Sequence, residues 1–361
     1  MPPPELINDA LIVIFLRLAP DEPAHLIRAS LVCRPWRRIL TDQAFLRRYR
    51  AFHGAPPLLG FLDNLAARSG GTVPRFFPTV AAPSPFPRRT FADSASNWET
   101  LDCRHGRVLL GLFAAATASL VVWDPITGAH HPLPDPGVPR GYYSAAVLCA
   151  AARRCDHLDC CHGGGPFRVV LAGLVYSADG DVWTHLYSSE AAAWVASARI
   201  GPSPHVMRKP SAVVGDDDVY FQLMLDDMIL RYDTGRNRLS RFHPPAAHAN
   251  EGGIVLMPMD DDGELGLAGV RGSRLCLWST SVTPEGISGW VQRKAIELMT
   301  RIPFLPYSEA RVVGCAEGLG VVFVETEVGV FTVDLKSGQE RKVSEPGNHF
   351  AVFPFTSFYT P

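Results

Sequence analysis

Apolar residues follow two different rhythms along this chain, and the change falls near residue 50. In the first part, Leu11, Ile14, Phe15 and Leu18 stand at i, i+3, i+4 and i+7, one face of a helix. Ile12, Val13 and Leu16 make the same segment apolar nearly all round, so it must be covered on more than one side. So short a segment has too little chain to do this alone. Asn8 or Asp9 is expected to cap the helix, and Pro20 to end it. Asp21 is expected to cap a second helix, with Glu22 and Pro23 in its first turn, where a missing N–H costs nothing. Pro35 can open a third helix in the same way. Asp42 can cap a fourth that carries Phe45, Leu46 and Tyr49.

From about residue 57 the rhythm shortens. β-branched and aromatic runs are bounded by turn residues, which reads as all-β. Internal repeats then set the architecture. Val121-Val122-Trp123-Asp124-Pro125-Ile126-Thr127-Gly128 returns as Leu230-Arg231-Tyr232-Asp233-Thr234-Gly235 and as Phe331-Thr332-Val333-Asp334-Leu335-Lys336-Ser337-Gly338. Each is a strand entering a turn in which Asp bonds nearby amides and Gly supplies positive φ. Between them, Leu186-Tyr187-Ser188-Ser189 leads to Trp194, and Leu277-Trp278-Ser279-Thr280 leads to Trp290. Each series repeats about every 100 residues, so the joint unit is about 50, the size of a four-stranded propeller blade of the kelch class. Five such units fit between residues 100 and 346. Segment 57–99 and the tail 347–361 remain, and a propeller closes its ring by pairing strands from its two ends. Six blades are therefore expected, the sixth shared by those ends. A β-sandwich or a pair of small barrels is the competing architecture.

The order of the N-terminal segment also carries a family likeness. The apolar helix is followed by Leu16-Arg17-Leu18-Ala19-Pro20-Asp21, and then by Leu31-Val32-Cys33-Arg34-Pro35-Trp36-Arg37-Arg38. Over residues 4–50 this resembles an F-box, with Val-Cys-x-x-Trp-Arg its most specific part. The resemblance implies a small all-α unit over 1–50, a linker over 51–56, and a β-propeller substrate-recognition domain over 57–361. It also implies a non-catalytic subunit of a cullin-RING ubiquitin ligase, held to a Skp-type adaptor and through it to a cullin. The adaptor contact would fall on Pro4, Leu6, Ile7, Leu11, Ile14, Leu18, Leu26, Leu31, Val32, Cys33 and Trp36. F-boxes usually open on Leu-Pro, whereas this chain opens Pro2-Pro3-Pro4-Glu5-Leu6-Ile7, which implies a looser hold on the adaptor. The β region is similar to grass F-box proteins with a C-terminal associated propeller. That likeness rests on Leu101-Asp102-Cys103-Arg104-His105-Gly106-Arg107, Val147-Leu148-Cys149-Ala150 and Phe353-Pro354-Phe355-Thr356-Ser357-Phe358-Tyr359-Thr360-Pro361.

Composition narrows the partners. Hydrophobic residues make up 47% and charged residues 19% of 361, enough apolar chain for a packed core. A net charge of −2 argues against nucleic acid or a membrane surface as the main partner. No apolar run approaches the ~18 residues of a membrane span, and Met1-Pro2-Pro3-Pro4 lacks the basic start of a signal peptide. Eight cysteines without small-domain spacing read as reduced thiols, which points to the cytoplasm or nucleus. Arg34, Arg37, Arg38, Arg47, Arg48 and Arg50 form a basic run of a kind that can bind nucleic acid, but they read rather as a solvated helix face or, as the F-box resemblance favours, a contact for an acidic partner.

Candidate chemistry is sparse. Cys155, His157, Cys160, Cys161 and His162 crowd one loop with zinc-type donors. Such sites usually join two ligand pairs across a folded stretch, and no distant pair is present, so no metal or other cofactor is expected. Asp216-Asp217-Asp218 and Asp260-Asp261-Asp262-Gly263 lack EF-hand spacing and read as hairpin turns. Trp123, Trp194 and Trp290 recur with the repeat, as blade core does. No phosphate loop or catalytic triad is recognisable. Two function classes remain: an adaptor whose propeller face takes a target protein, or a propeller enzyme or carbohydrate-binding lectin under a helical cap. The segment Val32-Cys33-x-x-Trp36-Arg37 favours the adaptor, because an enzyme has no use for it.

Overall fold

The computed structural model describes residues 7–67, 71–79, 98–112, 118–138, 143–151, 165–174, 180–201, 206, 209–215, 217–223, 228–246, 253–259, 263–283, 286–299, 302 and 310–360. Four helices come first: α1 (Asn8–Leu16), α2 (Ala24–Val32), α3 (Arg34–Leu40) and α4 (Gln43–His53). Their starts differ in part from expectation. Ile7, not Asn8 or Asp9, holds the extended cap position of α1, and its carbonyl accepts from the amides of Ala10 and Leu11. Asp9 lies one turn inside, where its charge still favours the helix N-terminus. The helix stops at Leu16, ahead of Pro20, because Arg17 and Leu18 tighten onto the carbonyls of Ile14 and Phe15. Asp21 does not cap α2. Glu22 N–H turns back onto the Ala19 carbonyl, and the helix begins after Pro23, whose carbonyl accepts from Ile27. Pro35 does sit in the first turn of α3, and the Asp42 carboxylate does accept from the Phe45 amide at 3.0 Å.

The helices close over Leu11, Phe15, Leu26, Leu40, Phe45, Leu46 and Tyr49, but their core is completed from the other end of the chain. Phe358 is buried in it, its ring 6.0 Å from that of Tyr49. Tyr49 also donates its hydroxyl to the Leu18 carbonyl at 2.8 Å. Arg50 is buried rather than part of a solvated face, while Arg34, Arg37, Arg38, Arg47 and Arg48 are exposed.

The remaining strands form six sheets of one ring. Strands β1 (Leu58–Ala67) and β2 (Gly71–Pro78) belong to the closing sheet. The first four-stranded blade holds β3 (Trp98–Arg104), β4 (Arg107–Leu112), β5 (Ser119–Trp123) and β6 (His130–Pro132). The second holds β7 (Tyr143–Cys149), β8 (Phe167–Leu174), β9 (Val182–Ser188) and β10 (Ala193–Ile200). The third holds β11 (Ala212–Val214), β12 (Asp218–Gln222), β13 (Ile229–Asp233) and β14 (Arg238–Phe242). The fourth holds β15 (Ile254–Pro258), β16 (Leu265–Arg271), β17 (Arg274–Thr283) and β18 (Gly286–Glu297). The fifth holds β19 (Arg311–Ala316), β20 (Val321–Thr326), β21 (Gly329–Asp334) and β22 (Glu340–Ser344). Finally β23 (Val352–Thr356) pairs antiparallel with β1, so the sixth blade takes its inner strand from the end of the chain and two outer strands from residues 58–78.

First strands line the centre and touch in sequence around the ring, β3 to β7, β11, β15, β19, β23 and back to β3. They are buried on both faces, as the unbroken burial of Tyr143–Cys149 shows. Outer strands face water on one side, and β10 alternates between exposed and half-buried residues along its whole length. Each buried Val or Leu contributes about 1.5–3 kcal/mol, which is why blades of this composition need no disulfide. Among the described residues no disulfide joins Cys33, Cys103, Cys149, Cys276 and Cys315 to one another.

Both repeat series occupy one place in the blade, the passage from third to fourth strand, in alternate blades. In the first and fifth blades Asp124 and Asp334 accept from the amides that follow, and Gly128 and Gly338 take φ of 75° and 69°. In the third blade the equivalent position, four residues after Asp233, is Asn237, with a φ of 50°, and Gly235 falls two residues before it. In the second and fourth blades the tryptophan indole reaches back to the preceding blade. Trp194 Nε1 donates to the Pro134 carbonyl and Trp290 Nε1 to the His243 carbonyl, both at 2.9 Å.

Candidate functional site

The helical unit leaves apolar surface uncovered at α1, at the end of α2 and at Phe52 of α4. Ile7, Val13 and Ile14 are exposed at α1, and Leu31 and Val32 at the end of α2, where Leu31 is 77% and Val32 63% accessible. Cys33 continues this exposed run into α3. A helix end that shows Leu-Val-Cys to water cannot have been selected for its own stability. The other residues expected at the adaptor contact are placed differently. Leu11 and Leu26 are inside the helical core, and Leu18 and Trp36 are half-buried, with the Trp36 ring edge-on to Phe15 at 5.1 Å. Their part would be to hold α1 and α3 so that the exposed residues share a surface. Pro4 and Leu6 lie outside the described residues.

At the centre of the propeller stands a charged cluster that the sequence reading did not single out. The two-residue turn His105–Gly106 between β3 and β4 has positive φ at both residues, 52° and 68°, the geometry that reverses a hairpin tightly. Arg104, at its edge, turns into the ring. Its guanidinium donates to both Glu317 oxygens at 2.9 and 2.7 Å, to the Ser211 hydroxyl at 3.1 Å, to the Ser211 carbonyl and to Asp102. Asp102 in turn accepts from the Val147 amide at 2.7 Å. One side chain thus ties the first blade to the third and fifth, and Asp102 ties it to the second. Burial pushes the Asp102 carboxyl up, with Arg104 and the Val147 amide opposing. Arg104 stays charged, because the two carboxylates outweigh the burial that would lower it. A signal was legible: Asp102 and Arg104 stand two apart, hence on one face, in a strand that must be buried.

A second cluster secures the shared blade. Adjacent residues of a strand point to opposite faces, and Asp63 and Asn64 of β1 use both. Asp63 bonds the His349 imidazole, while the His349 amide donates to Glu325 of the fifth blade at 2.7 Å. Asn64 exchanges two hydrogen bonds with the Thr100 backbone of the first blade, at 2.8 and 2.7 Å. Burial would lower the His349 pKa, but the hydrogen bond and charge of Asp63 prevail and raise it above the ordinary histidine value. Asp63 itself is lifted by burial.

Cys155, His157, Cys160, Cys161 and His162 lie outside the described residues, as do Asp216 and Asp260-Asp261-Asp262. Among the described residues no group of three or more His, Cys, Asp or Glu is placed to hold a metal ion. Asp218 enters β12 rather than a turn, where it forms a two-point ion pair with Arg231 at 2.8 Å. Trp123 is buried core, as its recurrence suggested, whereas Trp194 and Trp290 are half-buried clamps between blades. No helix among the described residues is long and apolar enough to cross a membrane.

Comparison with known proteins places the chain by family rather than by close relative. No curated protein matches it. Among solved structures it is similar to TolB from Acinetobacter baumannii, with 12% identity and a TM-score of 0.44 over 84% of this chain and 68% of that one. It is also similar to a chain of a nidogen/laminin complex, with 11% identity and a TM-score of 0.41 over 81% of this chain and 95% of that one. A third is the GH93 α-L-arabinofuranosidase of Fusarium graminearum, with 13% identity and a TM-score of 0.38 over 71% and 82%. Likenesses this distant say nothing of activity. Two family models do match: the F-box domain over residues 4–48, and the β-propeller of F-box protein AT5G49610-like over residues 99–361. The second spans most of the chain, and with the helical unit ahead of a six-bladed ring the protein belongs to the AT5G49610-like F-box proteins.

Proposed function

We propose that this chain is the substrate-recognition subunit of a cullin-RING ubiquitin ligase. The helical unit takes a Skp-type adaptor, and one face of the propeller takes a target protein. Ubiquitin is transferred by other subunits, and the chain itself is not an enzyme. The reading extends to a plant protein of the cytoplasm or nucleus, with a kelch-like blade pattern and without nucleic-acid or membrane partners.

The observation that carries it is the exposed run Leu31-Val32-Cys33 with Ile7 and Ile14, on a unit whose interior is already filled. Interfaces rest on a few such anchors, each worth ~2 kcal/mol or more. Family membership supports the same assignment. The test is capture of a purified Skp-type adaptor by the full chain. Leu31→Glu with Val32→Glu should abolish capture and leave the melting temperature within a degree or two of the parent, because both side chains are already in water. Undiminished capture by that variant would reject the adaptor reading. Trp36 is a poorer probe, since its ring packs on Phe15 and a change there also loosens the helices.

A further inference from the structure

We propose, resting on the ligase reading, that ubiquitin is conjugated to this chain itself at one place only, the outer rim of the fifth blade, through Lys336 and Lys342. Of the 34 basic residues, four are lysine and thirty are arginine, although lysine is among the commonest residues of ordinary domains. The four are Lys209, Lys294, Lys336 and Lys342, so the helical unit, the first two blades and residues 58–78 carry none. The difference is chemical. Ubiquitin is taken up by a neutral amine: lysine Nζ attacks the thioester carbonyl that joins ubiquitin to the cysteine of a conjugating enzyme. The C–N bond forms, the C–S bond breaks, and the proton lost from nitrogen ends on the departing sulfur. A guanidinium does not give up its proton, so arginine carries the same surface charge without offering an acceptor.

All four lysines lie among the described residues, and the fold sorts them. Lys209 is 4% accessible; its Nζ donates to the Ile254 carbonyl at 3.0 Å and lies 5.5 Å from the centre of the Phe350 ring. A conjugating enzyme cannot reach it there. Lys294, on β18, is exposed, but its Nζ donates to the Leu335 carbonyl across the seam between the fourth and fifth blades. A hydrogen bond from a charged donor withholds that amine about tenfold or more. Lys336 is the next residue along, exposed in the turn between β21 and β22, its backbone amide donating to Asp334 at 3.0 Å. Lys342 lies on β22, the outer strand of that blade, and its Nζ pairs with Glu345 at 2.7 Å. Both partners are in water, where such a pair holds weakly and opens readily. The two readily available amines thus belong to one edge of one blade.

The test has two arms, both on the full chain. Labelling with an amine-reactive N-hydroxysuccinimide ester, read by mass spectrometry, should mark Lys336 and Lys342 first and Lys294 later. Lys209 should trail by about tenfold or more, because it reacts only on local opening. In the second arm the chain is assembled with purified Skp-type adaptor, cullin and RING subunit. It is then given a ubiquitin-charged conjugating enzyme and no target. Peptide mapping should place ubiquitin on Lys336 and Lys342. Lys336→Arg with Lys342→Arg should lose self-conjugation yet keep adaptor capture and melting temperature, since both side chains are in water and keep their charge. A parent chain that captures no adaptor would overturn the ligase reading and this proposal with it. Normal capture with no self-conjugation, with ubiquitin mainly on Lys209 or Lys294, or with undiminished self-conjugation in the double variant would overturn this proposal alone, as would Lys209 labelling as fast as Lys336.

Discussion

The helical unit and the propeller handle apolar surface in opposite ways. The propeller encloses most of it: among its described residues the exposed large apolar side chains are Val195, Val291, Met299 and Phe350, and the buried charges of Asp102, Arg104, Asp63 and His349 are drawn into ion pairs. The helical unit leaves six large apolar residues, Ile7, Val13, Ile14, Leu31, Val32 and Phe52, open to solvent while borrowing Phe358 to finish its interior. One region buries most of its large apolar side chains, and the other leaves apolar surface that the proposed adaptor would cover. Their dependence is lopsided, because the tail that closes the ring also completes the helical core.

The strongest way to break that comparison is to remove residues 347–361. This takes away β23, the inner strand of the sixth blade, with Phe353 and Phe355, and takes Phe358 from the helices. The ring should open as a whole, since each inner strand packs on two neighbours. We expect loss of the cooperative thermal transition followed by circular dichroism, not a small shift. A truncated chain that melts like the parent would contradict ring closure by β23.

Next in size is Arg104→Met. The change leaves Asp102 and Glu317 charged and unpaired at the centre, which costs about 3–5 kcal/mol. Denaturant unfolding should show it. Combining it with Asp102→Asn and Glu317→Gln should recover much of the loss, because the penalty lies in the orphaned charges rather than in the missing cation. If the triple variant is no better than the single one, Arg104 acts mainly by filling space.

Much of this was legible in the chain. Periodicity located α1, and the alternating Asp-turn and Trp series gave the blade count, because each falls at the same step of every second blade. The shared sixth blade followed from what those units left over. What escaped was contact between residues far apart in sequence. Nothing near Arg104 announces Glu317, and nothing near Tyr49 announces Phe358. The caps of the first two helices were not legible, because Asn8, Asp9 and Asp21 are all able caps in sequence, whereas α1 starts after Ile7 and α2 after Pro23. Burial also divided the expected adaptor residues in a way that periodicity alone could not, since an all-round apolar helix does not tell which stripe stays open.

A smaller effect should appear on titration. His349 has its pKa raised by Asp63, so its stabilising contribution is fully present below the ordinary histidine value of about 6.5 and is lost as pH rises through the raised folded value. The propeller should therefore weaken as pH rises above about 6.5 and through the raised value. His349→Gln should flatten that part of the stability profile. A parent profile that stays level from pH 6 to 9 would show that the pair does not change protonation on unfolding.

The smallest effects belong to the tryptophan clamps, and they sharpen the comparison most. Trp194→Phe and Trp290→Phe each keep an aromatic ring and remove one indole N–H bond to the preceding blade, at Pro134 and His243. Each should cost about 1 kcal/mol. The two seams lie in different blade pairs and share no partner, so the losses should add to within about 0.5 kcal/mol in the double variant. The two reaches are the same move made twice by a repeated sequence. The helical unit has no such repetition, and Phe15, Trp36, Phe45, Tyr49 and Phe358 form one aromatic chain there. Paired changes of touching rings such as Tyr49→Leu with Phe358→Leu should therefore depart from additivity. Additive losses in the helices, or coupled losses between the two clamps, would reverse the contrast between a ring built from independent seams and a cap with one indivisible core.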